Sequence, residues 1–506
     1  MSSQKKGWSD RFLTKLEVAG NKLPDPSVLF IIMSVAILLA SAVAGIFNVK
    51  AKNPATGETI EAVNLLSSEG LVLILSESIN NFIEFPALGM VLVVMIGIGI
   101  AEKTGYFEAL MKRTIEITPE KFILPTVIFV GIISNVAGDA GPVILPPIAA
   151  MVLMRIGYHP FVGLLVAYAA TNGAFSANII LGMTDALALG FTEKSAQLVD
   201  SDYTGNIAMN YYFIAASSFL LVLVLYFVTK KVVSPRLGTY EGVSFTHEKI
   251  SDREVSALRW ANISVVVAAI ALLLLVIPEN GILRNPETGS IINDSPFMNS
   301  AVFLITILFF IPGLVFGLKA KTLKSTKDFG DILADSMGTM GGYIVLVFFA
   351  AQMLAYFEWS NLGPIIAVYG AQLLESINLS GIPLFISFIL IVGLINLLIG
   401  SASAKWAILA PVFVPMFMFL GYDPAFTQMV YRVGDSFSNP ISPMLPFLPL
   451  LLTFAKKYDK DVKLGTLIAN LLPYSIAILI VWIIFLIVWY LLGIPVGPGG
   501  PIYLEQ

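Results

Sequence analysis

The chain has 506 residues, of which 57% are hydrophobic and only 13% are charged. Soluble domains carry roughly 25% charged residues, so this composition predicts a protein whose solvent is the lipid bilayer. The net charge of −4 disfavours a nucleic-acid partner. No cysteine is present and only two histidines occur, His159 and His247, which excludes a disulfide framework and a thiolate or histidine zinc centre. No cofactor is expected.

Apolar stretches of about 20 residues indicate membrane-spanning helices. The continuous candidates, in chain order, are residues 27–46, 86–101, 209–229, 260–278, 299–318, 341–357 and 466–492. Two further spans, near 160–190 and 425–455, are interrupted by polar residues and by Gly or Pro. The stretches 122–156 and 382–420 break at small polar residues, which favours re-entrant hairpins lining a cavity. The sequence therefore predicts an all-α polytopic membrane protein with nine transmembrane helices plus two re-entrant hairpins.

The positive charges predict the orientation. With the N-terminus in the cytoplasm, 24 of the 30 Lys and Arg residues fall in cytoplasmic segments, four in external segments and two within the membrane. This bias follows the positive-inside rule and places the C-terminus outside. It also requires that neither hairpin crosses the membrane, because either crossing would place lysine-rich loops outside.

An internal repeat links the two halves of the chain. The string VGIISNVAGDAGPVILPPIAAMVLMRIGYHP from Val130 resembles VGLINLLIGSASAKWAILAPVFVPMFMFLGYDP from Val392, and an interrupted span follows each string. Five crossings separate matching points, so the copies are inverted, an architecture typical of secondary transporters. The resulting division is an N-terminal cytoplasmic segment 1–26, a first repeat 27–235, a cytoplasmic loop and linking helix 236–280, a second repeat 281–494 and an external tail 495–506.

The hairpin turns and the interrupted spans supply candidate binding groups. Small polar residues at the turns, including Ser134 and Ser403, expose helix N-termini for an anion and carbonyl groups for a cation. Side-chain oxygens of Ser, Thr and Asn are neutral hard donors that suit an alkali cation or a polar substrate. Helix kinking or interhelical hydrogen bonding is the alternative role. Asn172 is a candidate for binding the substrate. The candidates for binding Na⁺ are Asn135, Asn178, Asn396, Ser438 and Asn439.

Ionisable residues inside a membrane are costly and usually functional. Arg432 and Asp435 are three residues apart on one helical face, which predicts an ion pair. Asp185 follows a broken span, either in the site or near the external surface, and it or Asp435 would carry a coupled proton. Lys405 is expected to pair with Asp139.

Three further residues complete the candidates. Trp406 stands beside the second turn, where it either stacks on an aromatic ligand or fills space. His159 and its repeat mate Asp423 are interpreted as surface residues.

Two other classes of membrane protein are less consistent with these patterns. An intramembrane aspartyl protease requires a GxGD string, whereas Gly434 and Asp435 are preceded by Arg432 and Val433. A channel fits poorly because hairpins that enter from opposite faces suit alternating access.

Four strings resemble the AbgT family of p-aminobenzoyl-glutamate transporters, a branch of the ion transporter superfamily: ISNVAGDAGPVILPP, TNGAFSANIILGMTD, GSASAKWAILAPVFVPM and YRVGDSFSNPISPMLP. The resemblance implies a homodimer in the bacterial inner membrane, with transport of p-aminobenzoyl-glutamate or export of sulfonamide antimetabolites driven by Na⁺ or H⁺. A sodium-coupled dicarboxylate transporter of the same superfamily is the alternative. The resemblance also implies functional roles at Asp185, Asn396, Ser403, Trp406, Pro424, Arg432, Asp435 and Pro443.

Overall fold

A computed structural model describes residues 26–52, 59–137, 140–240, 250–291, 295–377, 379–442, 445 and 447–504. The N-terminal segment up to residue 25, together with Asp139 and Pro443, lies outside the described residues.

Helices make up most of the described chain. The longer ones are α1 (Pro26–Ile46), α2 (Ser68–Ile83), α3 (Pro86–Lys103), α4 (Tyr106–Glu116), α5 (Ile123–Ile133), α6 (Ala140–Arg155), α7 (Pro160–Tyr168), α8 (Met183–Ala196), α9 (Tyr211–Val228), α10 (Asp252–Val276), α11 (Ala301–Ala320), α12 (Thr326–Gly338), α13 (Gly341–Trp359), α14 (Leu362–Ser376), α15 (Gly381–Asn396), α16 (Ala402–Phe419), α17 (Pro424–Phe437), α18 (Phe447–Ala455) and α19 (Leu464–Leu491). One-turn helices occur at Ser234–Leu237 and Pro296–Asn299. Two short strands, β1 (Lys50–Lys52) and β2 (Thr59–Glu61), pair antiparallel.

Eight helical segments of the described chain are long and apolar enough to cross a bilayer. Seven of them overlap the seven continuous spans expected from the sequence. The eighth is α16, which the sequence assigns to the second hairpin. The chain is therefore a multi-pass helical membrane protein, as its composition predicts.

Several elements have no counterpart in the sequence prediction, namely α2, α4, α12, α14 and the β1–β2 hairpin. The helices among them have 11–16 residues, so a search for apolar stretches of about 20 residues misses them. The start of α12 carries a local signal instead, because Ser325 and Asp328 form a reciprocal capping box.

Two glycines let helices α3 and α11 pack closely against each other. A Cβ atom on Gly97 of α3 would lie 2.2 Å from the carbonyl oxygen of Thr306, and one on Gly313 of α11 would lie 2.7 Å from Ala101 Cα. Small residues at both positions let the two helices approach each other closely. Because α3 also packs against α8, this contact supports the helix that carries Asp185.

The same order of elements occurs twice. The helices α5, α6 and α7, a break, α8 and α9 correspond to α15, α16 and α17, a break, α18 and α19. The third helix of each set begins at a proline preceded by a capping side chain: His159 Nδ1 accepts from Phe161 N at 3.1 Å, and Asp423 Oδ1 accepts from Ala425 N at 2.7 Å.

The capping role corrects the interpretation of these two residues as surface residues. Asp423 is buried and His159 is partly buried. Desolvation lowers the pKa of His159, against an opposing effect of Asp459, and the neutral imidazole leaves Nδ1 free to accept the capping bond.

Candidate substrate and ion site

The two helix breaks meet in the interior. After α7, residues Ala169–Gly173 form a π-helix, a distortion that frequently marks functional sites. After α17, Asn439–Ile441 form a single 3₁₀ turn. Asn439 Nδ2 donates to the carbonyl oxygen of Asn172 at 3.1 Å, and Ser176 N donates to Ser436 Oγ at 3.2 Å. The breaks therefore contact each other directly, although about 260 residues separate them.

A cavity of about 420 Å³ opens where these breaks approach α8 and α16. Its volume lies within the range of about 300–1,000 Å³ typical of small-molecule sites. Eight residues singled out from the sequence line it: Asn135, Asn172, Ser403, Lys405, Trp406, Arg432, Asp435 and Asn439.

Two buried ion pairs lie at this cavity. Arg432 Nη1 contacts Asp185 Oδ1 at 2.7 Å, and Lys405 Nζ contacts Asp435 Oδ1 at 2.5 Å. All four side chains are at most 6% exposed. The two cations and two carboxylates balance, which is the arrangement that makes buried charge tolerable in a membrane.

These pairs differ from the expected contact between Arg432 and Asp435. Arg432 and Asp435 both lie on α17, as their spacing predicts. However, α8 brings Asp185 to the arginine, and α16 brings Lys405 to the aspartate. Asp185 is 3% exposed, so the alternative position near the external surface is wrong. Lys405 has Asp435 as its partner, while Asp139 lies outside the described residues.

Asp185 is held in place from two sides. It is the third residue of α8, and its Oδ2 accepts a hydrogen bond from Gly182 N at 2.9 Å. Its Oδ1 binds Arg432. The Asp185 carboxylate therefore both caps α8 and neutralises Arg432. The capping bond fixes the orientation of the carboxylate.

Asn396, at the end of α15, connects most of the polar groups on the second repeat. Its Nδ2 lies 3.0 Å from the carbonyl oxygen of Asp435, 2.8 Å from Ser438 Oγ and 2.7 Å from Asn439 Oδ1. Its Oδ1 accepts from Lys405 Nζ. Three of the predicted ion-binding residues, Asn396, Ser438 and Asn439, thus form one cluster.

Trp406 is packed against protein on one face. Its ring stacks on Tyr431, with centroids 4.2 Å apart and planes inclined by 26°. The Tyr431 hydroxyl donates to the carbonyl oxygen of Ala402, which ties the pair to the start of α16. Trp406 lines the cavity but is only 1% exposed, so protein atoms cover most of its ring.

A buried polar chain that the sequence reasoning missed begins at the same indole. Trp406 Nε1 donates to Thr192 Oγ1 at 2.9 Å, and Thr192 donates to Gln428 Oε1 at 2.6 Å. Gln428 Nε2 then donates to Asn210 Oδ1 at 2.6 Å, and Asn210 Nδ2 donates to the carbonyl oxygen of Ala425. A lone amide or hydroxyl in an apolar helix was the available signal, since such groups need interhelical partners.

The remaining candidates make other contacts. Ser134 bonds the carbonyl oxygen of Gly131 and lines a separate apolar cavity of about 300 Å³ between α4, α5, α10 and α11. Asn178 accepts from the backbone nitrogen atoms of residues 179 and 180 and does not line the 420 Å³ cavity. Asn135 lines that cavity, but its amide bonds carbonyl groups of residues 132 and 174. Pro424 is the first residue of α17.

Comparison with known proteins places the chain in a transporter family. The sequence profile of the AbgT transporter family matches residues 11–504. The p-aminobenzoyl-glutamate transport protein of Escherichia coli (strain K12) is 38% identical over 494 residues, which are 97% of this chain and 96% of that protein.

Two solved structures share the fold over their whole length. The YdaH transporter of Alcanivorax borkumensis is 38% identical, with a TM-score of 0.91 over 94% of this chain and 100% of that chain. Neisseria gonorrhoeae MtrF, which represents a class of antimetabolite efflux pumps, is 43% identical, with a TM-score of 0.91 over 97% and 100% of the two chains. The relatives are transport proteins and not enzymes, and this chain belongs to the AbgT transporter family.

Proposed function

We propose that this protein is an ion-coupled secondary transporter that moves p-aminobenzoyl-glutamate across the bacterial inner membrane by alternating access, with related folate-pathway metabolites and sulfonamides as further cargo. The observation that carries the proposal is the cavity in which a buried arginine, an aromatic wall and two broken helices meet. The 38% identical relative from Escherichia coli is a p-aminobenzoyl-glutamate transport protein, which supports the same substrate.

The cavity offers a partner for each part of this substrate. Trp406 supplies an aromatic surface, and offset ring pairs contribute about 0.5–1.5 kcal/mol beyond area burial. Arg432 suits one carboxylate because its guanidinium binds carboxylates in bidentate fashion. The second carboxylate fits the N-terminus of α16, where Ser401 is the capping residue. Amide groups of Asn172 and Asn439 suit the substrate amide.

Arg432 is already bound to Asp185, so binding of the substrate requires an exchange of partners. A substrate carboxylate takes the place of the Asp185 oxygen on the guanidinium, and Asp185 keeps its bond to Gly182. The arginine keeps a carboxylate partner, whereas Asp185 loses its counter-charge and the contact that joins α8 to α17 is broken. This exchange supplies a reason for the two broken spans to move when substrate binds.

The membrane layout in this proposal has nine crossings and two hairpins. The pairs α5–α6 and α15–α16 enter and leave on one face, and the two interrupted segments each count as one crossing. Although α16 is long enough to span, counting it as a crossing would move the lysine-rich segment 456–463 to the outside. The two repeats are then inverted, the N-terminus is cytoplasmic, the C-terminus is external, and the protein forms a homodimer.

Sodium is the coupling ion that the oxygen cluster favours. The side-chain oxygens of Ser438 and Asn439 accept from the amide nitrogen of Asn396, and the Asn396 oxygen accepts from Lys405, which is paired with the carboxylate of Asp435. Neutral hard donors with one carboxylate suit an alkali cation. A proton carried by Asp185 or Asp435 is the second candidate, because each carboxylate is buried.

The test is uptake of labelled p-aminobenzoyl-glutamate into proteoliposomes, with sodium and pH gradients imposed separately. We expect saturable uptake that an inward sodium gradient drives and that sulfonamides inhibit. Lys456→Gln, at an exposed position, is the control for handling and reconstitution. Uptake driven equally well by a pH gradient in sodium-free vesicles would replace sodium with the proton. Uptake of succinate in preference to the aminobenzoyl compound would establish the dicarboxylate alternative.

A further inference from the structure

Helix α8 contacts both side chains that the proposed site uses at its two ends. Asp185 binds Arg432, and Thr192 Oγ1 accepts from Trp406 Nε1 at 2.9 Å. These two α8 residues are two helical turns apart, which is about 10 Å along the helix axis. Between them, Ala188 of the same helix lines the cavity. A single helix therefore supplies the partner of the arginine and the partner of the indole.

The indole N–H fixes the direction of the polar chain that begins at Thr192. An indole nitrogen can only donate, so the Thr192 hydroxyl accepts from it and turns its own hydrogen towards Gln428 Oε1, 2.6 Å away. Gln428 Nε2 then donates to Asn210 Oδ1, and Asn210 donates to the carbonyl oxygen of Ala425. Hydrogen bonds that run in one direction strengthen one another. The chain therefore holds the Thr192 hydroxyl in one orientation.

This chain reaches the cavity through Trp406. Thr192, Gln428 and Asn210 are buried and are not part of the described wall of the 420 Å³ cavity, whereas Trp406 is. Protein atoms cover most of the indole, so its orientation decides which part of the ring the cavity meets. Tyr431 fixes the plane of the ring by stacking, and the bond to Thr192 fixes its rotation within that plane.

We propose that Thr192 is a positioning residue for the aromatic end of the substrate, and that it acts by holding the Trp406 indole in the cavity wall. Without the Thr192 hydroxyl, the indole N–H keeps a longer contact of 3.3 Å with the carbonyl oxygen of Ala188, and the ring turns towards it. The ligands that depend on Thr192 are those with an aryl ring at this end. This inference rests on the proposed function and adds the residue that sets the preference for an aromatic ligand.

The experiment compares a ligand that has the ring with one that lacks it. Purified full-length protein in detergent is titrated with p-aminobenzoyl-glutamate and with N-acetylglutamate, and the ratio of the two Kd values is the aromatic preference. Thr192→Val keeps the shape of the side chain and removes its hydroxyl. It should weaken binding of the aromatic ligand by about two- to tenfold, the net contribution of one hydrogen bond, and leave the Kd of N-acetylglutamate unchanged.

A second measurement follows the ring itself. Protein labelled with 5-fluorotryptophan carries six ¹⁹F nuclei, one for each tryptophan, and Trp406→Phe identifies the resonance of Trp406. Thr192→Val should shift that resonance and leave the others in place. Thr192→Ser keeps the hydroxyl and should retain the wild-type resonance and aromatic preference.

Thr104→Val is the matched control for the loss of a buried threonine hydroxyl. Thr104 is 1% exposed, but its hydroxyl donates to the carbonyl oxygen of Ile100 in its own helix, α3. This variant should leave both the Trp406 resonance and the aromatic preference unchanged.

The outcomes separate this inference from the proposed function. An unchanged aromatic preference in folded Thr192→Val, or equal weakening of both ligands, overturns the positioning role and leaves the transport proposal standing. Failure of the wild-type protein to bind p-aminobenzoyl-glutamate overturns both. Where N-acetylglutamate binds too weakly to measure, an unmoved Trp406 resonance overturns the inference. If Thr192→Val does not fold, Gln428→Met removes the acceptor of the Thr192 hydroxyl, and an unmoved resonance with unchanged affinity in that variant has the same consequence.

Discussion

The pairing of Arg432 with Asp185 predicts a specific pattern of stabilities. Asp185→Asn removes the negative charge but keeps an oxygen that can accept from Gly182 N. Removing one member of a buried pair strands the other, which typically costs about 3–5 kcal/mol. Asp185→Ala should cost about 0.5–2 kcal/mol more than Asp185→Asn, because it also removes the bond that caps α8.

The double substitution separates the pair from its neighbours. Arg432→Met with Asp185→Asn leaves no unbalanced charge at this pair, so its cost should be smaller than the sum of the two single costs. Contacting residues usually show interaction energies of about 0.5–3 kcal/mol in such a cycle. A matched cycle with Arg432→Met and Asp435→Asn should show a weaker interaction, because Asp435 is bound to Lys405 instead.

Reversible unfolding in mixed micelles, followed by circular dichroism, measures each free energy of unfolding. Two probes must give coincident transitions before the values are compared. The reasoning fails if the cycle between Arg432 and Asp435 gives the larger interaction energy. It also fails if Asp185→Asn and Arg432→Met are strictly additive, since a 2.7 Å contact between buried charges cannot be energetically silent.

Three further predictions concern topology, packing and ligand choice. In this cysteine-free chain, a cysteine at Lys457 should react with impermeant maleimide only from the cytoplasmic side, and labelling from outside would reject the nine-crossing layout. Gly497→Ala should destabilise the protein by about 1–3 kcal/mol, because the new Cβ would lie 2.3 Å from a backbone carbonyl oxygen. Gly342→Ala, where a Cβ meets open space, is the control and should not destabilise the protein. Equal melting temperatures of the two variants would contradict this prediction. Arg432→Lys should weaken binding of p-aminobenzoyl-glutamate more than binding of a sulfonamide, while Trp406→Ala should weaken both; the site fails if Arg432→Lys affects the two ligands equally and Trp406→Ala affects neither.

Local features of the sequence determine a large part of this protein. The apolar stretches predict seven continuous helices because a bilayer of fixed thickness requires a run of about 20 apolar residues. The breaks near Asn172 and Asn439 are also predictable, since Gly, Pro and polar residues interrupt an apolar run at matching places in the repeat. The shorter helices and the strand pair are not predicted, because they contain neither a long apolar stretch nor an interruption that recurs in the repeat.

The partners of the buried charges were decided by the tertiary structure. Arg432 and Asp435 share a helix face, and spacing along the chain favours their contact. The nearest counter-charges come instead from α8, which brings Asp185 from 247 residues away, and from α16, which brings Lys405. The stacking of Trp406 on Tyr431 has the same origin. Inside a membrane a charge pairs with whatever opposite charge the packing of helices places within about 3–4 Å, and that packing depends on the whole chain.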